Sequence, residues 1–430
     1  MRRPGSDSGC AVVSESPRER LSRWHAEGVR AVRPDLLLPD FGSAEPDGWV
    51  FRRGTREIAL HWPDRTAGGR LRVIALGKAA RTMASGFLES LRGADVPRAE
   101  SLVDAGLIIT RDPWPGVAPW REIFGDHPYP GERSLQAAQE LLAFIGRPTA
   151  ADRFLVLLSG GASSLCALPI EGMTLEEKRA ATRELMLSGA PIEELNRLRA
   201  RLSAIKGGKL ARRMAPASVI TLVVSDVAGD DPAVIGSGPT FDPPHAPCLV
   251  IASLDDALRA IEAAARTEGV EVCHLGRTLY GNVEHEAQRI ALTIAAAERP
   301  VAPRLWLAGG EPVVTVSGKG CGGRAQELAL RLADELAQAL PQQKTTRGVM
   351  GRSVTGLAAG TDGADGPTSA AGGFFDASSV ARIAAAGIDL SGALADNDSH
   401  AVLGAVGDQF VTGPTGTNVA DILLVLESPG

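Results

Sequence analysis

Apolar residues gather in short unbroken runs along the first half of the chain: 72–76 (RVIAL), 106–110 (GLIIT), 154–158 (FLVLL) and 218–226 (SVITLVVSD). Runs of this length without polar alternation suit strands covered on both faces, as in parallel sheets flanked by helices. The segments between them change period. The stretch 79–91 (AARTMASGFLESL) is helical in pattern, and Ile192, Leu195, Leu198, Leu202 and Ile205 recur every three or four residues until Lys206-Gly207-Gly208-Lys209 interrupts them. Strand and helix periods in alternation predict βαβ units and a mainly parallel sheet.

The second half reads differently. A connector with three prolines spans 241–248 (FDPPHAPC), a helix–strand–helix passage covers roughly 254–298, and the proline-containing 298–304 (ERPVAPR) marks a domain boundary. Two short runs, 304–311 (RLWLAGGE) and 312–316 (PVVTV), are close enough to pair as strands. The helix after them carries Leu328, Leu332, Leu336 and Leu340 on one face. The expected organisation is a loosely held tail over 1–19, a larger α/β domain over 20–300 and a smaller α/β domain over 301–430.

Composition agrees and excludes several functions. A chain of 430 residues is long enough for two or three domains at roughly 100 to 200 residues each. Hydrophobic residues make up 44 % and aromatic ones only 4 %, with 49 glycines, which fits an α/β protein rich in small aliphatic side chains. The formal charge of −6 and the absence of a basic block argue against nucleic acid as a partner, though not against a small anion. Cys10, Cys166, Cys248, Cys273 and Cys321 are scattered with no C-x-x-C pair, which suits a reducing compartment better than a zinc site. The Arg2-Arg3 pair is not followed by an apolar core of export-signal length, and no segment reaches the roughly 20 apolar residues of a membrane helix. The expected location is cytoplasmic, with no membrane partner.

The strand ends carry the chemistry. The 154–158 run breaks into Ser159-Gly160-Gly161-Ala162-Ser163-Ser164, and similar loops occur at Gly236-Ser237-Gly238-Pro239-Thr240 and Gly413-Pro414-Thr415-Gly416-Thr417. Adjacent glycines let the backbone approach a ligand and point several N–H groups at phosphate oxygens. Carboxylates for Mg²⁺ are at hand in Asp226, Asp230 and Asp231 (SDVAGDD) and in Asp362 and Asp365 (GTDGADG). Lys78, just past a strand end, and Arg324, at a helix start, supply positive charge. Together these are the parts that phosphoryl transfer needs.

Each part also has a plainer role. Asp226 and Asp362 suit turns or helix caps, Lys78 a solvated surface, and Arg324 an ion pair with Glu327 one helical turn on. His127 before Pro128 and Asn397 in a helix-capping position read as structural. The recurrence of the same kind of loop at strand end after strand end favours the functional reading. The P-loop pattern, the protein-kinase signatures and a dinucleotide G-x-G-x-x-G fingerprint are absent from the sequence.

The motifs 77–80 (GKAA), 125–134 (GDHPYPGERS), 157–165 (LLSGGASSL), 202–211 (LSAIKGGKLA) and 223–240 (VVSDVAGDDPAVIGSGPT) resemble those of the glycerate 2-kinase family, also called the MOFRL family or class II glycerate kinases. So do 322–330 (GGRAQELAL), 358–368 (AAGTDGADGPT), 394–399 (LADNDS) and 412–422 (TGPTGTNVADI). The resemblance runs from about residue 20 to the C-terminus; members have often carried the label hydroxypyruvate reductase. It implies a larger Rossmann-like domain, a smaller C-terminal MOFRL domain and an active site in the cleft between them. It implies transfer of the ATP γ-phosphoryl group to the 2-hydroxyl of D-glycerate with Mg²⁺. Lys78 and Arg324 match the family's catalytic Lys and Arg.

On this reading Ser159, Gly160, Gly161, Ser163, Ser164, Gly236, Ser237, Gly238, Thr415, Gly416 and Thr417 bind ATP phosphates. Asp226 and Asp362 hold Mg²⁺, and Asn196, Arg199 and Lys206 contact the substrate. A homodimer is left open. The chain departs from the family at Arg199-Ala200-Arg201, usually Arg-Lys-His, and at Ala325, often Asn. These departures bear on substrate contacts more than on phosphoryl transfer, so a related sugar acid is the alternative substrate and NAD(P)H-dependent reduction of hydroxypyruvate the rival reaction.

Overall fold

The computed structural model describes residues 15–429 except 94–98, 112–118, 188–191, 244, 277–278, 341–342, 346–347 and 351, with backbone only at 99–100, 186–187, 192–193, 343–345 and 348–350. Cys10, the Arg2-Arg3 pair and the side chain of Ile192 lie outside the described residues. An antiparallel meander of β1 (Gly42–Glu45), β2 (Gly48–Arg53) and β3 (Arg56–His61) precedes the first large sheet. That sheet contains β4 (Leu71–Leu76), β5 (Val103–Thr110), β6 (Arg121–Phe124), β7 (Arg153–Ser159), β8 (Ser218–Val224) and β9 (Cys248–Ala252). Every pairing is parallel, and the spatial order is β6-β5-β4-β7-β8-β9. The chain therefore winds outward from β4 in one direction and from β7 in the other. The apolar runs of the sequence become these strands because their residues are covered on both faces: Val73, Ile74, Leu155, Val156 and Leu222 are all 0 % exposed. Each such side chain contributes roughly 1.5–3 kcal/mol.

The second large sheet is mixed. It is built from β10 (Glu271–His274), β11 (Arg304–Gly310), β14 (Ser353–Gly360), β15 (Gly372–Asp376), β16 (Gln409–Phe410) and β17 (Asp421–Ser428), with the hairpin β12 (Gln343–Thr345) and β13 (Gly348–Met350) set apart. Its order is β10-β11-β17-β14-β15-β16, and only β10 and β11 run parallel. The two sheets share a hydrophobic core in which Leu71, Val73 and Leu155 join Leu305, Leu357 and Leu424.

Four expectations change. First, 312–316 (PVVTV) is not a strand: Val313 makes one isolated bridge to Asn282, because both edges of β11 are already taken by β10 and β17. Second, the division between sheets falls before β10 rather than near residue 300. Helix Val283–Ala296 packs on helix Arg324–Ala339, and the proline-containing 298–304 is a loop within the second unit. Third, the chain is already helical at Pro17, where Ser16 and Glu19 form a capping box; Leu21 and Trp24 are fully buried, and the helix packs against helix Leu254–Thr267. The loosely held tail does not extend to residue 19. Fourth, the helix expected to run on toward Ile205 ends at Arg201. The Lys209 ammonium donates to the carbonyls of Ala200 at 2.9 Å and Ser203 at 2.5 Å, and Gly207 and Gly208 take φ of +60° and +74°.

Candidate active site

The parallel sheet reverses its winding between β4 and β7, and in such sheets ligands bind outside the carboxyl ends of the strands at that switch point. The loops after these two strands touch. The Lys78 N–H donates to the Gly160 carbonyl at 2.9 Å, and the Ala79 N–H donates to Ser159 Oγ at 3.0 Å. Gly77 has φ +127°, and a Cβ there would sit 2.2 Å from Ser159 Oγ. Gly160 is more tightly constrained: an added Cβ would lie 1.7 Å from Oδ2 of Asp226 and 2.4 Å from Nδ2 of Asn418. Gly161, at φ +81°, passes beside Lys78 Cγ and the ring of His127. Asp226 follows β8, so three neighbouring strands each deliver one part of the wall.

The opposite wall comes from the second sheet. Asp362 follows β14, and its Oδ2 accepts from the Lys78 ammonium at 2.7 Å. Asn418 donates to Asp226 Oδ2 at 2.9 Å. Arg324 starts its helix and does not pair with Glu327. Its Nε donates to Asp421 Oδ2 at 2.6 Å, its Nη2 to Asp421 Oδ1 at 3.2 Å, and its Nη1 to Glu311. Glu327 pairs instead with Arg331 at 3.0 Å and accepts from Asn397 at 3.1 Å. Asn397 is no helix cap: its Oδ1 accepts from the N–H groups of Ser317 and Gly318, and Asp396 and Asp398 hold Lys319 and Cys321 in the same way. This motif orders the glycine-rich loop that leads to Arg324. Asp365 caps the Arg324 helix by accepting from the N–H groups of Ala325 and Gln326.

Several expected phosphate ligands are engaged within the protein. Ser159 is buried against Ala79, and Ser164 donates to the Gly161 carbonyl at 3.2 Å. Thr415 donates to the Thr361 carbonyl at 2.5 Å and Thr417 to the Val32 carbonyl at 2.7 Å, while Thr82 donates to the Gly416 carbonyl. These hydroxyls fix the loops, and the N–H groups of Ser164, Ser237, Gly238 and Thr415 donate to carbonyls within the protein as well; among the described residues the N–H groups of Gly160, Gly161 and Gly416 have no such acceptor. Ser163 and Ser237 bond to each other: their hydroxyls meet at 2.9 Å, and the Lys206 ammonium donates to Ser163. Ser237 takes φ +62° between Gly236 and Gly238, a left-handed backbone rarely adopted outside glycine and often found at functional sites. Arg199, on helix Ile192–Arg201, is close enough to Lys206 for the two charges to oppose each other, and Asn196 lies on the same helix. Asp230 is half-buried at the end of the short 3-10 turn Ala228–Asp230, and the exposed Asp231 accepts from the Ala233 N–H.

Charge is unevenly balanced in the cleft. Asp226, Glu311, Asp362 and Asp421 are the carboxylates near Lys78, Arg324 and Arg111. Burial, with Glu311 nearby, pushes Asp226 up to about 6. Burial works against the charge of Asp362 too, but Lys78 overcomes it and holds this carboxyl below the usual range. Burial also opposes the Arg324 charge, which Asp421 and Glu311 secure well above the ordinary arginine value. Burial and the cations Lys78 and Arg111 bring His127 down to about 3, so it is neutral. An excess of carboxylate oxygen over cation suits a divalent ion. Among the described residues no three Asp, Glu, His or Cys side chains converge into a metal cage, but Mg²⁺ is held by one or two carboxylates together with phosphate oxygens. Asp226 and Asp362 fit that pattern.

Thus Lys78, Gly160, Gly161, Asp226, Asp362 and Arg324 come together as expected, and Ser163, Ser237, Lys206 and Arg199 form a second group beside them. Sequence reading passed over Glu311, Asn418 and Asp421. The signal was present for the last two, inside 412–422 (TGPTGTNVADI), where the hydroxyl-bearing residues drew attention instead.

The relatives of this chain make it an enzyme of the phosphotransferase class. A family model described as "Domain of unknown function (DUF4147)" matches residues 20–267, and one described as "MOFRL family" matches 304–421. The chain belongs to the glycerate 2-kinase family. It is 36 % identical to the D-glycerate 2-kinase of Thermotoga maritima, over 83 % of this chain and 90 % of that protein. It is equally 36 % identical, over 94 % of this chain and 95 % of the relative, to a protein of Agrobacterium vitis named putative hydroxypyruvate reductase. The crystal structure of a glycerate kinase from Thermotoga maritima superposes with a TM-score of 0.73 at 30 % identity, covering 96 % of this chain and 100 % of that one.

Proposed function

We propose that this chain is an ATP- and Mg²⁺-dependent glycerate 2-kinase, forming 2-phosphoglycerate and ADP from D-glycerate in the cytoplasm. One observation carries the reading: at the switch point of a parallel sheet, Lys78 and Asp226 on one wall face Asp362 and Arg324 on the other, beside the glycines of the 159–164 loop. The N–H groups of Gly160, Gly161 and Gly416 are assigned to the triphosphate, since they donate to no carbonyl among the described residues. Asp226 and Asp362 would hold Mg²⁺, which when bound spreads the negative charge of the transferring group. The substrate 2-hydroxyl oxygen forms a bond to the γ-phosphorus as the bond to the β–γ bridging oxygen breaks; ADP leaves with that bond's electron pair, and the hydroxyl proton is released to solvent. Lys78 and Arg324 neutralise charge on the moving group. His127, neutral and beside Gly161, orients the hydroxyl; a ring that accepts a proton only near pH 3 is a hydrogen-bond acceptor here rather than a base.

The test follows two reactions with the purified chain. D-Glycerate-dependent ADP formation with ATP and Mg²⁺, without NADH oxidation on hydroxypyruvate, is the expected result. NADH oxidation without ADP formation would instead favour the activity named for the Agrobacterium relative.

A further inference from the structure

Helix Leu175–Leu187 places Lys178 5 % exposed, and its ammonium has no hydrogen-bond partner among the described residues. An isolated buried ammonium is strongly unfavourable, and proteins retain one where something outside the apo chain completes it. Its surroundings deepen the imbalance. Lys206, also 5 % exposed, and Arg199 are near enough for the three positive charges to oppose one another, and Arg199 makes no hydrogen bond or ion pair among the described residues. Burial brings Lys178 down to about 8 and Lys206 to about 7. Among the described residues the one acidic group beside them is Cys166, whose thiol burial pushes up to about 12, so it supplies no counter-charge at neutral pH. Lys209 shows what a structural lysine does here: it caps a helix end through three carbonyls. Lys178 caps nothing.

The position of this group indicates which anion it takes. The 159–164 loop has two ends. At one end Gly160 lies against Asp226 and Asn418, where carboxylates outnumber cations; at the other, Ser163 meets Ser237 and Lys206, where among the described residues cations stand without carboxylates. A metal-bound triphosphate belongs at the first end. A small hydroxy acid must put its carboxylate away from those anions while its hydroxyl stays close to them, and the separation of three residues between Gly160 and Ser163 matches so short a molecule.

We propose that Lys178, with Lys206, Arg199, Ser163 and Ser237, forms the pocket for the carboxylate of the phosphoryl acceptor, and that Lys178 sets its affinity. The inference rests on the kinase reading above and adds a binding residue to it. Lys178→Met removes the charge and keeps the apolar stem. KM for D-glycerate then rises roughly 10- to 100-fold, the range of a lost charged hydrogen bond, while KM for ATP and kcat hold. Tm of the unliganded variant stays level or rises, because an uncompensated charge has left the interior. A lysine with only a structural role would give a lower Tm and an unmoved KM for D-glycerate, and that result overturns the proposal. A rise in KM for ATP alone overturns it as well, moving the pocket to the nucleotide. Calorimetric titration of D-glycerate into wild type and Lys178→Gln reads the pocket without turnover. Binding lost in the variant supports the pocket even if wild type transfers no phosphoryl group, an outcome that would sink the kinase reading alone; no difference in binding sinks the pocket while leaving the kinase reading intact.

Discussion

The Lys78 ammonium lies 2.7 Å from Oδ2 of Asp362, two residues 284 apart in sequence, and this pair joins the parallel sheet to the mixed sheet across the cleft. Both side chains are largely covered, at 18 % and 9 % exposure. Removing one partner of such a pair leaves the other charge stranded, at a cost of about 3–5 kcal/mol, whereas removing both costs less. Lys78→Met is therefore expected to lower Tm and to reduce kcat by roughly 10²- to 10³-fold, as loss of a positioned charge stabiliser does. Adding Asp362→Asn restores much of the Tm and none of the activity, which thermal denaturation beside steady-state kinetics would detect.

Arg324 is held by Asp421 and Glu311 rather than by its own helix, so its guanidinium is fixed before any ligand arrives. Arg324→Ala is expected to lower kcat by roughly 10³-fold or more, the effect of an arginine that stabilises transferring phosphoryl charge. An increase confined to the KM for D-glycerate would place it on the substrate instead.

Gly160 has no room for a methyl group, because its Cβ would fall 1.7 Å from Asp226. Gly160→Ala is expected to displace Asp226 and break its hydrogen bond with Asn418, eliminating most activity. The sheet packing elsewhere should survive, so near-wild-type far-UV circular dichroism with a weakened Mg²⁺ dependence is the signature to look for.

His25 is 1 % exposed, edge-on to Phe410, and burial lowers it from its ordinary 6.5 to about 4. The folded state thus disfavours its protonated form. The stability that the neutral ring contributes is complete above pH 6.5 and is lost as pH falls toward 4, amounting to about 2 kcal/mol at pH 5. The drop in unfolding free energy between pH 7 and pH 5 should be smaller by about that amount in His25→Leu. Equal drops in the two proteins would show that His25 is not the group responsible.

Four strands of the parallel sheet were legible because they are continuous apolar runs, and the candidate loops because glycines and hydroxyls follow them directly. Strand pairing in the second sheet was not. PVVTV has the composition of a strand, but nothing local reveals that β17, more than a hundred residues later, takes the edge of β11. The site divided in the same way. Lys78, Asp226, Asp362 and Arg324 stand beside glycines that advertise them, whereas Asp421 is the first residue of a buried strand, and its part depends on where Arg324 folds back to meet it. Lys178 sits in an ordinary charged helix pattern, and only burial without a partner sets it apart from a surface lysine.

The most direct test of the kinase reading is the identity of the phosphorylated product formed from D-glycerate, ATP and Mg²⁺, resolved by ³¹P NMR. The account predicts 2-phosphoglycerate, formed in step with ADP. Phosphate on the 3-hydroxyl, or no phosphorylated glycerate at all, would contradict it.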